Sequence, residues 1–243
     1  MESPNQRKYC VVIPAFNEER AISTVVSAAC AHPVTVVVVD DGSSDATSAR
    51  ARDAGAHVIP LSPNRGKGGA LEAGFAYARE HGFEAVITLD ADGQHPPAEI
   101  ADFIAAYEAT GAPAILGNRL HQSTGPEGMP WIRRRTNRFM SRLLSRIMHQ
   151  NVPDTQNGYR LYRTDLLPLV NVRSGGFAAE SEILLRIAEQ GHQIHSIPTQ
   201  TVYGDEESKI HPLRDTILFI RMLRKYMFRK ALKFESRTSK EKT

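Results

Sequence analysis

The most restrictive feature of this chain is a run of valines. Val34-Thr35-Val36-Val37-Val38-Val39 ends abruptly in two acids, Asp40 and Asp41. A run of β-branched residues with no polar alternation has no face to offer water. It is therefore predicted to be a central parallel strand, covered by helices on both sides. Parallel neighbours need crossover connections, and the flanking sequence supplies them. Residues 9–14, 34–39, 57–60, 85–89 and 114–117 read as strands. Residues 18–30, a stretch N-capped by Asp45 and running to 54, residues 70–81 and residues 98–110 read as helices. The expectation is an α/β domain with an open, mostly parallel sheet flanked by helices.

The second half is less regular. Residues 131–148 read as a helix, 154–163 as an irregular stretch, 179–190 as a helix closed by Gly191, and 193–202 as extended. Pro212 opens a last helix that runs to about residue 234. The expected organisation is a disordered N-terminus over 1–8, one domain over 9–211, a basic amphipathic helix over 212–234 and a disordered tail over 235–243. There is no internal repeat.

In open α/β sheets, ligands gather beyond the carboxyl ends of the strands. Three of the predicted strand ends are polar: Asn17-Glu18, Asp40-Asp41, and Asp90-Ala91-Asp92-Gly93-Gln94-His95-Pro96-Pro97. The third is the most informative. Alternate residues of an extended segment face the same side, so Asp90, Asp92 and Gln94 can share one cleft. Two carboxylates and an amide oxygen suit a hard divalent cation, Mg²⁺ or Mn²⁺, of the kind that completes its shell with substrate phosphates. In this reading Asp92 and Gln94 hold the metal, and Asp90 faces a nucleotide ribose or the metal's waters. The competing reading is a strand-end turn with solvated acids. His95, followed by two prolines, is read as shaping the turn rather than as a ligand.

Asn64-Arg65-Gly66-Lys67-Gly68-Gly69 is glycine-rich and cationic, and is read as a loop opening onto a helix. It is not a Walker loop, because the spacing differs and no Ser or Thr follows Lys67. A helix N-terminus with a lysine still suits an anion.

Composition narrows the partners. The chain has 243 residues, 41% of them apolar, which is enough for one large core. Cys10 and Cys30 lie in separate apolar stretches and fit buried thiols in a reducing compartment. The first residues have no apolar leader, and no stretch approaches the roughly 18 apolar residues of a membrane span. The net charge of +3 is unevenly placed. Residues 210–243 carry ten Lys/Arg against three Asp/Glu, and residues 129–150 carry six arginines and no acid. Such concentrations point to an anionic partner: phosphate, a membrane surface or nucleic acid. On the helix over 131–148, Arg135, Arg138, Arg142 and Arg146 form one stripe, with Phe139, Met140, Leu143, Leu144, Ile147 and Met148 on the flank and far side. These helices either lie on an anionic leaflet or pack on the domain or a second subunit. Trp131 lines an acceptor channel or interface, or anchors its helix in the core.

Taken together, seven motifs in this order resemble the family 2 glycosyltransferases of GT-A fold, and within them the dolichol- and polyprenyl-phosphate sugar transferases. They are Ile-Pro-Ala-Phe-Asn-Glu (13–18), Val-Asp-Asp-Gly-Ser-Ser-Asp-Ala-Thr (39–47), Asn-Arg-Gly-Lys-Gly (64–68), Leu-Asp-Ala-Asp-Gly-Gln-His-Pro (89–96), Gly-Asn-Arg (117–119), Gly-Tyr-Arg (158–160) and Glu-Ser-Lys (207–209). The resemblance runs from about residue 9 to residue 226. It implies a nucleotide-diphosphate-sugar donor, GDP- or UDP-hexose, and a divalent metal. It also implies that Pro14, Phe16, Glu18 and Asp41 border the base and ribose, with Asp90 near ribose and metal and Asp92 and Gln94 as metal ligands. Arg119, Arg135 and Lys209 would face phosphates, with Arg133 and Arg134 as alternatives to Arg135. Many members carry C-terminal membrane spans that have no counterpart here. The expected location is therefore cytoplasmic, with peripheral contact at the membrane's inner face.

The chemistry of the acceptor divides the remaining readings. A phosphate monoester is already largely ionised at neutral pH and needs cations to hold it rather than a base. A hydroxyl acceptor needs a carboxylate base. Arg119, the 133–135 run, Arg160 and Lys209 are candidate phosphate holders, joined by Lys67 for the donor. Asp154, Glu180 and Glu182 are candidate bases, or else salt-bridging acids. The leading expectation is an inverting hexosyltransferase acting on a polyprenyl phosphate, with Asp90, Asp92 and Arg119 at the reacting centre. The alternatives are the same donor chemistry on a soluble hydroxyl acceptor, and a non-catalytic nucleotide- or nucleic-acid-binding module. No nucleic-acid partner is expected.

Overall fold

The computed structural model describes residues 8–121, 129–169, 177–201 and 217–228. The elements run β1 (Tyr9–Ala15), α1 (Ile22–Cys30), β2 (Thr35–Asp40), α2 (Thr47–Asp53), β3 (His57–Pro60), α3 (Gly66–Glu80), β4 (Ala85–Thr88), α4 (Ile100–Thr110), β5 (Ala114–Asn118), α5 (Trp131–Met148), β6 (Arg160–Arg163), α6 (Phe177–Glu189) and β7 (Ile194–Pro198). A further helix, α7, covers 217–228.

The seven strands form one sheet in the order β3-β2-β1-β4-β6-β5-β7. The valine strand pairs in parallel with β1 on one side and β3 on the other. Its side chains alternate between two cores. Val37 and Val39 join the core beneath α3, α5, α6 and α7, whereas Val36 and Val38 join the core beneath α1, α2 and α4. Every residue of Val36–Val39 is buried as a result. Val12, Val11 and Ile13 of β1 divide the same way.

The exception to the parallel pattern is β6. It runs antiparallel to both β4 and β5 and sits between them. Its amino-terminal end therefore lies at the edge where the other strands end, with Thr88 in register with Arg160. The irregular stretch 154–159 is thus delivered to the same rim as the strand-end acids. Thr88 donates to the Gly158 carbonyl (2.8 Å) at that junction.

Several boundaries differ from expectation. α1 begins at Ile22 rather than Glu18, because the chain first turns through Asn17 at a left-handed φ of 52°. α3 begins at Gly66, so Lys67 stands in the first turn of a helix and not in a loop. The N-cap of α2 is Ala46 rather than Asp45, and Asp45, one residue earlier, accepts the Thr47 amide (2.9 Å). α7 packs on the domain, with Phe219 and Met222 buried in the core shared by α5 and α6. Residues 1–7, 202–216 and 229–243, where the termini of the expected organisation and Lys209 fall, lie outside the described residues.

Candidate active site

Four parallel strand ends and the start of β6 converge on one rim, and each contributes a polar group. From β1, Pro14 is half-buried, Phe16 is exposed and Glu18 is half-buried. From β2, the two acids separate in role. Asp40 accepts the Ser43 amide (2.9 Å) and the Ser48 hydroxyl, which locks its own turn. Asp41 is 4% exposed, and its Oδ1 accepts the Arg65 amide (2.7 Å), tying the entry to α3 against the strand end.

The centre of the rim is the turn after β4. Gly93 adopts φ 76°, a conformation that lets the chain fold back after Asp92. Asp92 Oδ1 accepts the Gln94 amide (3.0 Å). Asp90 Oδ1 lies 2.6 Å from the Lys67 ammonium, which is also 3.2 Å from Glu180 Oε1. The other oxygen of Asp90 rests against Gly158, where a Cβ would stand only 2.6 Å from it. A side chain at 158 would push Asp90 out of place.

The two aspartates titrate in opposite directions. Burial raises Asp90, but the Lys67 ammonium, then His95 and Arg119, outweigh it and hold the carboxyl at about 2. Asp92 is pushed up to about 6 by burial and then by the Asp90 charge, with Glu18 adding in the same sense. Lys67 is held above the ordinary lysine value: burial favours the neutral amine, but Asp90 and Glu180 overcome it. His95 is 3% exposed, and burial pulls it down to about 4, so it is neutral at pH 7. Its Nδ1 lies 3.8 Å from Asp90 Oδ2, and its ring packs 5.4 Å from that of Tyr159. It is a buried support of the turn.

Among the described residues no group of three or more His, Cys, Asp or Glu converges as a metal cage. The chemistry at Asp92 nonetheless fits a divalent cation. Burial, then the Asp90 charge and that of Glu18, raise its carboxylate, and the backbone amide of Gln94 donates to it (3.0 Å). A Mg²⁺ or Mn²⁺ ion that draws its other ligands from a diphosphate and water needs no more protein groups than these.

The predicted cations divide. Arg119 is 4% exposed and reaches the rim, but its Nε and Nη2 engage Asp154 (2.8 and 3.1 Å) in a two-pronged ion pair. Burial raises Asp154, and Arg119 more than offsets it, so the acid sits below the ordinary carboxylate range. Arg160 is fully buried, and its guanidinium donates to the carbonyls of Asn157 (2.6 Å), Glu180 (2.8 Å) and Thr155 (3.0 Å) and to the Tyr162 hydroxyl (3.1 Å). It braces the second half of the domain. Arg135 is exposed on α5, its guanidinium 5.9 Å from the Trp131 ring.

All three candidate bases are paired. Asp154 binds Arg119, Glu180 binds Lys67, and Glu182 accepts Arg186 Nη2 (2.6 Å). Glu18 and Glu180 each make a contact that the motifs did not indicate. Glu18 acts electrostatically on Asp92, and Glu180 reaches Lys67 from α6, a contact spanning more than a hundred residues. No local sequence signal marks that second contact.

On α5 the buried face is Asn137, Ser141, Leu144 and Met148. Arg135, Arg142 and Arg146 are exposed as expected, whereas Arg138 is half-buried. Trp131 (63%), Ile132 (61%) and Phe139 (67%) are exposed with them, so Trp131 is no core anchor.

Comparison with known proteins agrees with this geometry. The sequence model described as glycosyl transferase family 2 matches residues 10–168. A dolichyl-phosphate hexose transferase from Haloferax volcanii is 33% identical over 207 residues, covering 83% of this chain and 86% of that protein. An undecaprenyl-phosphate mannosyltransferase from Micrococcus luteus is 31% identical over 199 residues, covering 77% and 80%. Among solved structures, glucosyl-3-phosphoglycerate synthase from Mycobacterium tuberculosis, in complex with Mn²⁺, uridine diphosphate and glucosyl-3-phosphoglycerate, superposes with a TM-score of 0.68. It is 20% identical and covers 90% of this chain and 80% of that one, a likeness of fold.

Proposed function

The chain belongs to glycosyl transferase family 2, and on that premise we propose that it transfers a hexose from a nucleotide-diphosphate sugar to a polyprenyl phosphate, with inversion. The donor half of this reading rests on the rim formed by Pro14, Phe16, Glu18, Asp41, Lys67 and Asp90. Phe16 offers an exposed ring for a base, and Asp41 Oδ2 and Asp90 offer acceptors for ribose hydroxyls. The amino end of α3 with Lys67 faces the diphosphate. Asp92 and Gln94 would hold Mg²⁺ or Mn²⁺, which when bound neutralises charge on the departing diphosphate.

The observation that carries the acceptor half is the pairing of every candidate base. Asp154, Glu180 and Glu182 are each engaged by a lysine or arginine. A hydroxyl acceptor requires such a base, whereas a phosphate oxygen arrives ionised. In the proposed displacement that oxygen bonds to the anomeric carbon as the carbon–oxygen bond to the diphosphate breaks. Arg119 contributes positive charge at the rim, and Arg135 and Lys209 are the further candidates for the acceptor phosphate. The names of the relatives support a lipid-linked phosphate.

No helix among the described residues is long and apolar enough to cross a membrane. The lipid would instead be met at a surface. Trp131, Ile132 and Phe139 on α5, interleaved with exposed arginines, and Ile217, Ile220, Met227 and Phe228 on α7 support peripheral contact with an anionic leaflet.

The test is transfer from GDP- and UDP-hexoses carrying labelled sugar, with undecaprenyl or dolichyl phosphate as acceptor. Label is expected to partition into the organic phase, and to stop doing so in Asp92→Ala. Label released only into water-soluble glycoside would overturn the lipid acceptor.

A further inference from the structure

We propose that Glu180 is a positioning residue of the transferase site, which by sharing the Lys67 ammonium offsets part of its charge beside Asp90 and Asp92. The proposal rests on the donor and metal reading above and deepens it. Glu180 lies in the first turn of α6 and is 3% exposed. Its Oε1 is 3.2 Å from Lys67 Nζ, and the same nitrogen is 2.6 Å from Asp90 Oδ1. Its other oxygen lies 4.0 Å from Arg160 Nη2, and its own carbonyl accepts Arg160 Nη1 (2.8 Å). Arg160 is in turn fixed by the carbonyls of Thr155 and Asn157. Glu180 is therefore held from the acceptor half of the domain and reaches across to a lysine of the donor half.

The physical consequence follows from competition for one carboxylate. A buried ammonium paired with Asp90 alone forms a tight contact pair, and a divalent cation entering beside Asp90 and Asp92 meets its full repulsion. A second carboxylate on the same ammonium divides that attraction and offsets the repulsion. Removing Glu180 while keeping Lys67 leaves the lysine wholly to Asp90 and raises the local charge by one. Cation binding should then weaken, although Glu180 need not touch the ion.

The experiment is titration of Mn²⁺ in the presence of UDP and, in parallel, of GDP, read by water-proton relaxation, with unfolding midpoints for each variant. Glu180→Gln is expected to bind Mn²⁺ about tenfold more weakly. In a Lys67→Met background the same change should have less than about a twofold effect, because neighbours that act through one partner are non-additive. A wild-type affinity in Glu180→Gln, or an equal loss in both backgrounds, overturns the proposal. Should Glu180→Gln fail to fold, Glu180→Asp, which keeps the charge but shortens the reach, is read by the same criterion with a smaller loss. Wild-type protein that binds no Mn²⁺ would instead defeat the metal reading itself, which separates the two failures.

Discussion

At the residue scale the site depends on where one side chain is held. Asp90 is pinned between the Lys67 ammonium and the bare backbone of Gly158. A methyl group at 158 would meet Asp90 Oδ2 at 2.6 Å, a distance that forces the carboxylate to move. Gly158→Ala is therefore expected to lower turnover about a hundredfold, the usual effect of a displacement near 1 Å in a reacting centre. Its cost in folding free energy should be only about 1–3 kcal/mol. Initial rates set beside urea unfolding separate the two effects, and full activity in this variant would show that the position of Asp90 is not critical.

The Arg119–Asp154 pair makes a prediction of opposite character. Arg119 holds the buried Asp154 below its ordinary value, so the pair stabilises the fold above the unfolded carboxyl value and is lost as pH falls through the folded one. Arg119→Met strands a buried carboxylate and should cost about 3–5 kcal/mol at pH 7. With the guanidinium gone, burial is opposed only by the amides of residues 119 and 156, and Asp154 is expected to rise. The variant should then gain stability as pH drops from 7 towards 5, a sign opposite to the pair's contribution in the parent. Urea unfolding at the two pH values reads that sign.

At the element scale, what the sequence made legible depended on how local the cause was. The valine strand was readable because burial on both faces leaves a compositional mark that needs no partner to interpret. His57–Pro60, a half-exposed strand, and Trp131–Met148, a helix with one buried face, were readable from local pattern without that mark. The start of α3 was not. Gly66, Gly68 and Gly69 look like loop residues, yet Gly66 and the helix beyond it are anchored by the Asp41 carboxylate on the Arg65 amide, a contact from another strand. The direction of β6 was also hidden, because a four-residue strand carries no sign of which way its neighbours run. The arginines of the second half show the same limit. Arg160 and Arg135 are alike in sequence, but one fills a cage of carbonyls and the other stands in the open.

The outer face of α5 can be tested directly, because Trp131 is the protein's single tryptophan. Its emission should shift to the blue on addition of vesicles rich in phosphatidylglycerol, and not with phosphatidylcholine alone. Phe139→Glu should abolish the shift while leaving the unfolding midpoint within about 0.5 kcal/mol of the parent, since Phe139 is a surface residue. An equal shift with neutral vesicles, or none with anionic ones, would place this face in some other contact.

At the scale of the whole molecule, two halves meet at one rim. The parallel half, β1 to β4, brings the strand-end aspartates and the groups proposed to face the nucleotide. The second half enters through an antiparallel strand, which is why 154–159 arrives from the opposite direction to close the site. Fold class and the acids of the rim were legible from motif and pattern. The pairing of Glu180 with Lys67 and of Asp154 with Arg119 was not, because it depends on a tertiary approach between distant segments.

The account turns on the raised, crowded carboxylate of Asp92 being where a divalent cation meets the donor's diphosphate. The most direct measurement is an anomalous difference map from crystals soaked with Mn²⁺ and a nucleoside diphosphate. One peak is predicted within coordination distance of Asp92 and Gln94, with the diphosphate on its far side towards Lys67. A peak elsewhere on the protein, or diphosphate bound at this rim with the same occupancy after chelation and in Asp92→Ala, would contradict it.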